Sequence, residues 1–171
     1  MLILIYGGSG SGKSAYAEEL TASFEGKKYY LATMKSEGAE ALERIERHRA
    51  NREVRGFTTV ERETDIGDAV RDEEGTVLLE CLSNLLANEM FESESKRSGE
   101  ELCQKILDEI NKLKDKTANL IIVSNNIFED GYEYEGETRE YMEVLGRLNI
   151  SLAKDASSVY EVSSGIPVQI K

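Results

Sequence analysis

The apolar positions of the chain fall into two alternating kinds of segment. Continuous apolar runs occur in LILIY (2–6), KKYYLAT (27–33), TVLLE (76–80) and NLIIVSN (119–125). Such runs predict strands covered on both faces. Between them the spacing is helical. GKSAYAEELTASF (12–24) carries Ala17, Leu20 and Phe24. SEGAEALERIERHRANR (36–52) carries Leu42 and Ile45, with Glu40 and Glu43 each four residues before Arg44 and Arg47. A helix is predicted through LSNLLANEMF (82–91). EELCQKILDEINKLKDK (100–116) sets Leu102, Ile106, Ile110 and Leu113 on one stripe. TREYMEVLGRLNISLAKDA (138–156) predicts a long helix. FTTVE (57–61) reads as a short strand and TDIGDAVRD (64–72) as a short helix capped by Thr64. ESESKRSG (92–99) and NIFEDGYEYEGE (126–137) read as loops. SVYEVSS and IPVQI, separated by Gly165, predict two closing strands joined by a tight turn.

Apolar strands alternating with helices predict an α/β fold with a mostly parallel sheet, the last two strands being the place for an antiparallel addition. The 171 residues hold one proline and no repeat or low-complexity tract, so a single domain over 1–171 is expected. The start MLILIYGGSG turns glycine-rich too early for a signal peptide or a membrane span, which predicts a cytoplasmic protein. Cys81 and Cys103 are expected to be free thiols, and with a single histidine they make no zinc spacing. The formal net charge of −12 argues against nucleic-acid binding through bulk charge.

GGSGSGKS (7–14) fits the spacing G-x-x-x-x-G-K-[ST], with a buried strand before it and a helix after it. Gly7, Gly8, Ser9, Gly10, Ser11 and Gly12 let the backbone curl so that its N–H groups point at phosphate oxygens. The helix that follows adds its positive end. Lys13 can reach the β- and γ-phosphates, and the Ser14 hydroxyl can bind Mg2+. A carboxylate for that ion belongs at the end of another buried strand. TVLLE ends in Glu80, whereas NLIIVSN ends in Ser124 and Asn125; Glu80 alone carries charge and is the better candidate. These parts predict a nucleoside triphosphatase, a kinase or a nucleotide-binding regulator without separating the three.

The basic residues of RIERHRANR (44–52) run against the acidic average and surround the one histidine, His48. On a helix Arg44, His48 and Arg52 share a face, with Arg47 and Arg49 to either side. The arginines disfavour a proton on His48, which leaves the nucleophilic neutral imidazole, and they can hold a triphosphate against it. An imidazole so placed can attack phosphorus and divide one transfer into two. The bland reading is a solvated, charge-laced helix.

With the segments GGSGSGKS, YLAT, RIERHRANR, TVE, LLECLSNLL, IIVSN, GRLN and VSSGIP in this order, the chain resembles the bifunctional adenosylcobinamide kinase / adenosylcobinamide-phosphate guanylyltransferases of cobalamin biosynthesis. The resemblance runs the full length, and the phosphate loop combined with RIERHR and LLEC is its specific part. It implies a P-loop NTPase domain resembling the RecA core, in three layers, assembled as a homotrimer. It also implies two reactions. ATP or GTP phosphorylates the aminopropanol hydroxyl of the corrinoid adenosylcobinamide; GMP then passes from GTP to that phosphate through a GMP–histidine intermediate. The family histidine falls on His48. The family's nucleotide contacts fall on 7–14, on Thr33, Met34 and Lys35, on Arg49, Asn51 and Arg52, and on Glu61 and Glu80. One departure stands out: Asn126 replaces a usual glutamate, and the loop that follows is strongly acidic. The competing readings are a P-loop small-molecule kinase with no covalent step and a nucleotide-binding switch without turnover.

Overall fold

The computed structural model describes residues 1–35, 55–91 and 97–171. The chain runs β1 (Leu2–Gly7), α1 (Lys13–Ala22), β2 (Lys28–Ala32), β3 (Phe57–Glu61), a 3-10 turn (Ile66–Asp68) and β4 (Asp72–Glu80). It continues with α2 (Leu82–Phe91), α3 (Gly99–Asp115), β5 (Thr117–Asn125), α4 (Gly136–Asp155), β6 (Ser158–Ser163) and β7 (Ile166–Gln169). The helix predicted over 36–52 lies outside the described residues.

Seven strands form one sheet in the order β3-β2-β4-β5-β1-β6-β7. Every neighbouring pair is parallel except β6 with β7, the closing hairpin. The continuous apolar runs are explained by the two faces. Leu2, Leu4, Leu31, Val77, Leu79, Leu120 and Ile122 face one way, against the buried sides of α2, α3 and α4. Ile3, Ile5, Tyr30, Leu78, Ile121 and Val123 face the other way, toward Ala17 of α1. A strand with period-two geometry needs apolar residues at every position only when both faces are covered. The result is the three-layer, mostly parallel α/β fold with an antiparallel C-terminal strand.

Helix α3 buries its predicted stripe: Leu102, Ile106, Ile110 and Leu113 are each at most 2% exposed. It begins one residue earlier than the spacing suggests, because Ser98 caps it. The Ser98 hydroxyl accepts from the Glu101 N–H while the Glu101 carboxylate accepts from the Ser98 N–H, a reciprocal pair that satisfies two otherwise orphaned donors. Cys81 and Cys103 are both free and buried.

Two expectations are corrected. The segment 64–72 is not a helix. Only Ile66–Asp68 makes a 3-10 turn, and β4 has already begun at Asp72. Thr64 caps nothing; the position before the turn is Asp65, in the left-handed region at φ 50 and without a side-chain cap bond. The reason lies in tertiary contacts. The Gly67 N–H donates to Glu109 Oε2 at 2.7 Å, and Lys116 Nζ donates to Gly67 O at 2.9 Å. The Asp65 N–H donates to Glu89 Oε1 at 3.1 Å. Of these groups, Gly67 O is the one a helix continuing to Asp72 would bond internally, and Lys116, just after α3, takes it instead. Helix α1 also stops at Ala22, short of Phe24, and its buried positions are Lys13, Ala17 and Thr21.

Ile110→Ala removes a side chain that is 1% exposed. A loss of about 2–5 kcal/mol in urea unfolding is expected. Ser98→Ala should cost about 1 kcal/mol in the same assay. An unchanged urea midpoint for either variant contradicts the packing or the cap described.

Candidate functional site

The site is built at the carboxyl ends of β1, β4 and β5. Strand β1 ends in Gly7, and the chain turns through 8–12 into α1. Gly7, Gly10 and Gly12 are required by geometry, Gly10 by its φ of +69. A Cβ on Gly7 would run into Val162 O and lie 2.7 Å from Ser11 Oγ. Gly12 sits at φ +90, and a Cβ there would lie 3.0 Å from Gly165 Cα. The β6–β7 turn thus packs directly on the loop, and the Gly165 N–H donates to Ser11 O at 2.8 Å. On the other side the Asn126 N–H donates to Gly7 O at 2.9 Å. The loop is clamped from both flanks before any ligand arrives.

Lys13 is the first residue of α1 and only 8% exposed. Its Nζ folds back and donates to Gly8 O at 3.0 Å, which sets the ammonium inside the curl of the loop. Ser14 comes next, and its hydroxyl donates to Glu80 Oε1. Helix α1 lies over β4 and β5, so the hydroxyl reaches the last residue of β4 across β5. A serine hydroxyl beside a strand-end carboxylate is a pair of hard oxygen donors. Mg2+ takes such a pair, with substrate phosphates and water completing its shell.

Behind Glu80 stands Thr33, the residue after β2, fully buried at 0% exposure. Its N–H donates to Glu80 O at 3.1 Å. Its hydroxyl accepts from the Cys81 N–H at 2.8 Å and donates to Cys81 O at 2.9 Å. Asn88 Nδ2 closes the group by donating to Thr33 O at 2.7 Å and to Glu63 O at 3.1 Å. Of its neighbours, Met34 is 43% exposed and Lys35 lies 3.6 Å from Glu63 Oε2. Glu61 ends β3, and the strand registers align Glu61, Ala32 and Glu80 in one row. Two strand spacings, about 9–10 Å, separate Glu61 from Glu80. Glu61 borders a shallow hollow of about 330 Å³ over 61–65.

The loop, Lys13, Ser14, Glu80 and Thr33 are therefore brought together, and Glu61 stands at the same sheet edge two strands away. His48, Arg49, Asn51 and Arg52 lie outside the described residues. A cleft of about 600 Å³ opens on the flank of the loop, between 8–11, Asn126, Glu129, Asp130 and Glu161. Burial, then the nearby Glu161 carboxylate, push the Tyr6 phenol above its ordinary range.

A second polar group was not anticipated. Asn125 Nδ2 donates to Ser83 Oγ at 2.6 Å, and Cys81 Sγ lies 3.0 Å from the same oxygen. The Tyr141 hydroxyl donates to Ser83 O at 3.0 Å. Burial, reinforced by Cys81, pushes the Tyr141 phenol up to about 12, so it remains a donor at ordinary pH. Ser83, Asn84, Asn88 and Glu89 interrupt the apolar residues of LSNLLANEMF, and those of them that are buried need partners.

No helix of the described residues is long and apolar enough to cross a membrane. The family model for cobinamide kinase / cobinamide phosphate guanyltransferase matches residues 3–170. The chain is 31% identical to the bifunctional adenosylcobalamin biosynthesis protein CobU of Escherichia coli, with all of both chains covered. It is 30% identical to the protein of the same name from Salmonella typhimurium, again over the whole of both. It is 28% identical to the bifunctional adenosylcobalamin biosynthesis protein CobP of Pseudomonas aeruginosa, covering 98% of this chain and 96% of that one. A glycine-rich loop clamped at the edge of a parallel sheet, its serine on a strand-end carboxylate, and similarity over the full length lead to one conclusion: the chain belongs to the cobinamide kinase / cobinamide phosphate guanyltransferase family.

Proposed function

We propose that this protein phosphorylates adenosylcobinamide and then guanylylates the product. The observation that carries the reading is the clamped loop with Lys13 folded into it and Ser14 bonded to Glu80, in a chain of this family. In the first reaction the aminopropanol oxygen attacks the γ-phosphorus of ATP or GTP. The bond to the bridging oxygen breaks, the nucleoside diphosphate leaves, and the hydroxyl proton passes to solvent or a base. Backbone N–H groups of 8–14 and the Lys13 ammonium stabilise charge on the phosphate oxygens. Ser14 and Glu80 are the residues that would hold Mg2+, which supplies charge neutralisation on those phosphates when bound.

In the second reaction a ring nitrogen of His48 attacks the α-phosphorus of GTP, and pyrophosphate leaves. The phosphate oxygen of adenosylcobinamide phosphate then attacks the same phosphorus and releases the imidazole. The product is adenosylcobinamide-GDP. Arg49, Asn51 and Arg52, with Met34, Lys35 and Glu61, are proposed to position nucleotide. The reading takes the assembly to be a homotrimer and the acceptor to be a corrinoid.

Incubation with adenosylcobinamide, Mg2+ and ATP should give adenosylcobinamide phosphate by chromatography and mass spectrometry. Adding GTP should convert it to adenosylcobinamide-GDP. Bound nucleotide with neither product contradicts the proposal. Lys13→Ala should lower phosphoryl transfer by about 10²–10³-fold. A rate within about tenfold of the parent would remove Lys13 from the transition state.

A further inference from the structure

Thr33 is among the positions the family resemblance assigns to nucleotide contact, yet its hydroxyl is turned inward and saturated. It accepts from the Cys81 N–H and donates to the Cys81 carbonyl, at 2.8 and 2.9 Å. The side chain is 0% exposed, so water does not compete for these bonds. We propose that Thr33 is a positioning residue: its hydroxyl and N–H hold the main chain at Glu80 and Cys81 so that the Glu80 carboxylate stays on Ser14.

Strand β4 stops at the site itself. The strand ends at Glu80 and α2 starts at Leu82, so Cys81 alone joins them. Its carbonyl already accepts the first helical bond, from the Leu85 N–H at 3.1 Å. Its N–H takes Thr33 Oγ1 as partner. One residue earlier, Glu80 O accepts from the Thr33 N–H at 3.1 Å. Thr33 therefore restrains the backbone on both sides of the Glu80–Cys81 junction from the neighbouring strand. Asn88, 8% exposed on α2, fixes Thr33 in turn through its carbonyl. Glu80 has a separate task, accepting from the Ser14 hydroxyl. Mg2+ demands near-ideal octahedral geometry. A carboxylate allowed to drift by a fraction of an ångström therefore loses more affinity for that ion than for nucleotide alone. The proposal builds on the assignment of Ser14 and Glu80 as the magnesium-holding pair.

The test is equilibrium binding of ATP to the full chain, with magnesium and with a chelator, for the parent, Thr33→Val, Thr33→Ser, Glu80→Gln and Ile110→Val. Valine keeps the branched shape and lacks the hydroxyl; serine restores it. Magnesium should tighten ATP binding to the parent, to Thr33→Ser and to Ile110→Val, which loses stability at a distance from the site. In Thr33→Val that tightening should fall by roughly tenfold, the scale of one lost hydrogen bond, while affinity in chelator stays within about twofold. Tightening abolished in Glu80→Gln but intact in Thr33→Val overturns the proposal alone. Tightening intact in Glu80→Gln overturns the magnesium assignment and the proposal with it. If circular dichroism shows Thr33→Val unfolded, Asn88→Ala loosens the same group from behind and is read by the same criterion.

Discussion

The Ser14 hydroxyl and the Glu80 carboxylate meet across β5, and the rest of the site depends on that meeting. The contact joins the start of α1 to the end of β4, strands apart in the sheet and 66 residues apart in sequence. It exists only if β1, β5 and β4 keep their register and if the loop after β1 delivers Ser14 at the right height. Register is held by apolar side chains on both faces: a slip by one residue would exchange the set facing α1 for the set facing α2, α3 and α4. The core is thus what sets the distance between two oxygens at its edge.

The loop itself is held by close approaches rather than by side chains of its own. The β6–β7 turn touches it at Gly12 and bonds Ser11, and the chain after β5 bonds Gly7. The antiparallel hairpin, peripheral in topology, is a direct buttress of the glycine-rich loop. On the far side of Glu80, Thr33 and Asn88 perform a related task with hydrogen bonds. The proposed binding of a polyanion would benefit from such preorganisation, because the Lys13 ammonium is already held at the loop.

Much of this was legible in the chain because its signals are local. The continuous apolar runs marked β1, β2, β4 and β5, and the stripe of Leu102, Ile106, Ile110 and Leu113 marked α3. The loop motif between strand and helix marked Lys13 and Ser14, and strand-end charge marked Glu80. What escaped depends on tertiary partners. The segment 64–72 has acceptable helical spacing, but Lys116 takes the Gly67 carbonyl that a longer helix would bond. The inward turn of Thr33 and the group around Ser83 involve residues 42 to 58 positions apart, beyond any local pattern. The Ser98–Glu101 cap is the exception: it is local, spelled S-x-x-E, and yet is absent from the sequence reading, which placed Ser98 in a loop.

The proposed function requires two chemistries of one chain, one at a γ- and one at an α-phosphorus. The most direct measurement uses GTP labelled at the α-phosphorus, with magnesium and no corrinoid, followed by denaturation in alkali and separation on a gel. The expected result is protein-bound label that is stable in alkali, labile in acid and absent from His48→Ala. Folded protein that binds GTP and acquires no label would contradict it, leaving a nucleotide site without the covalent step.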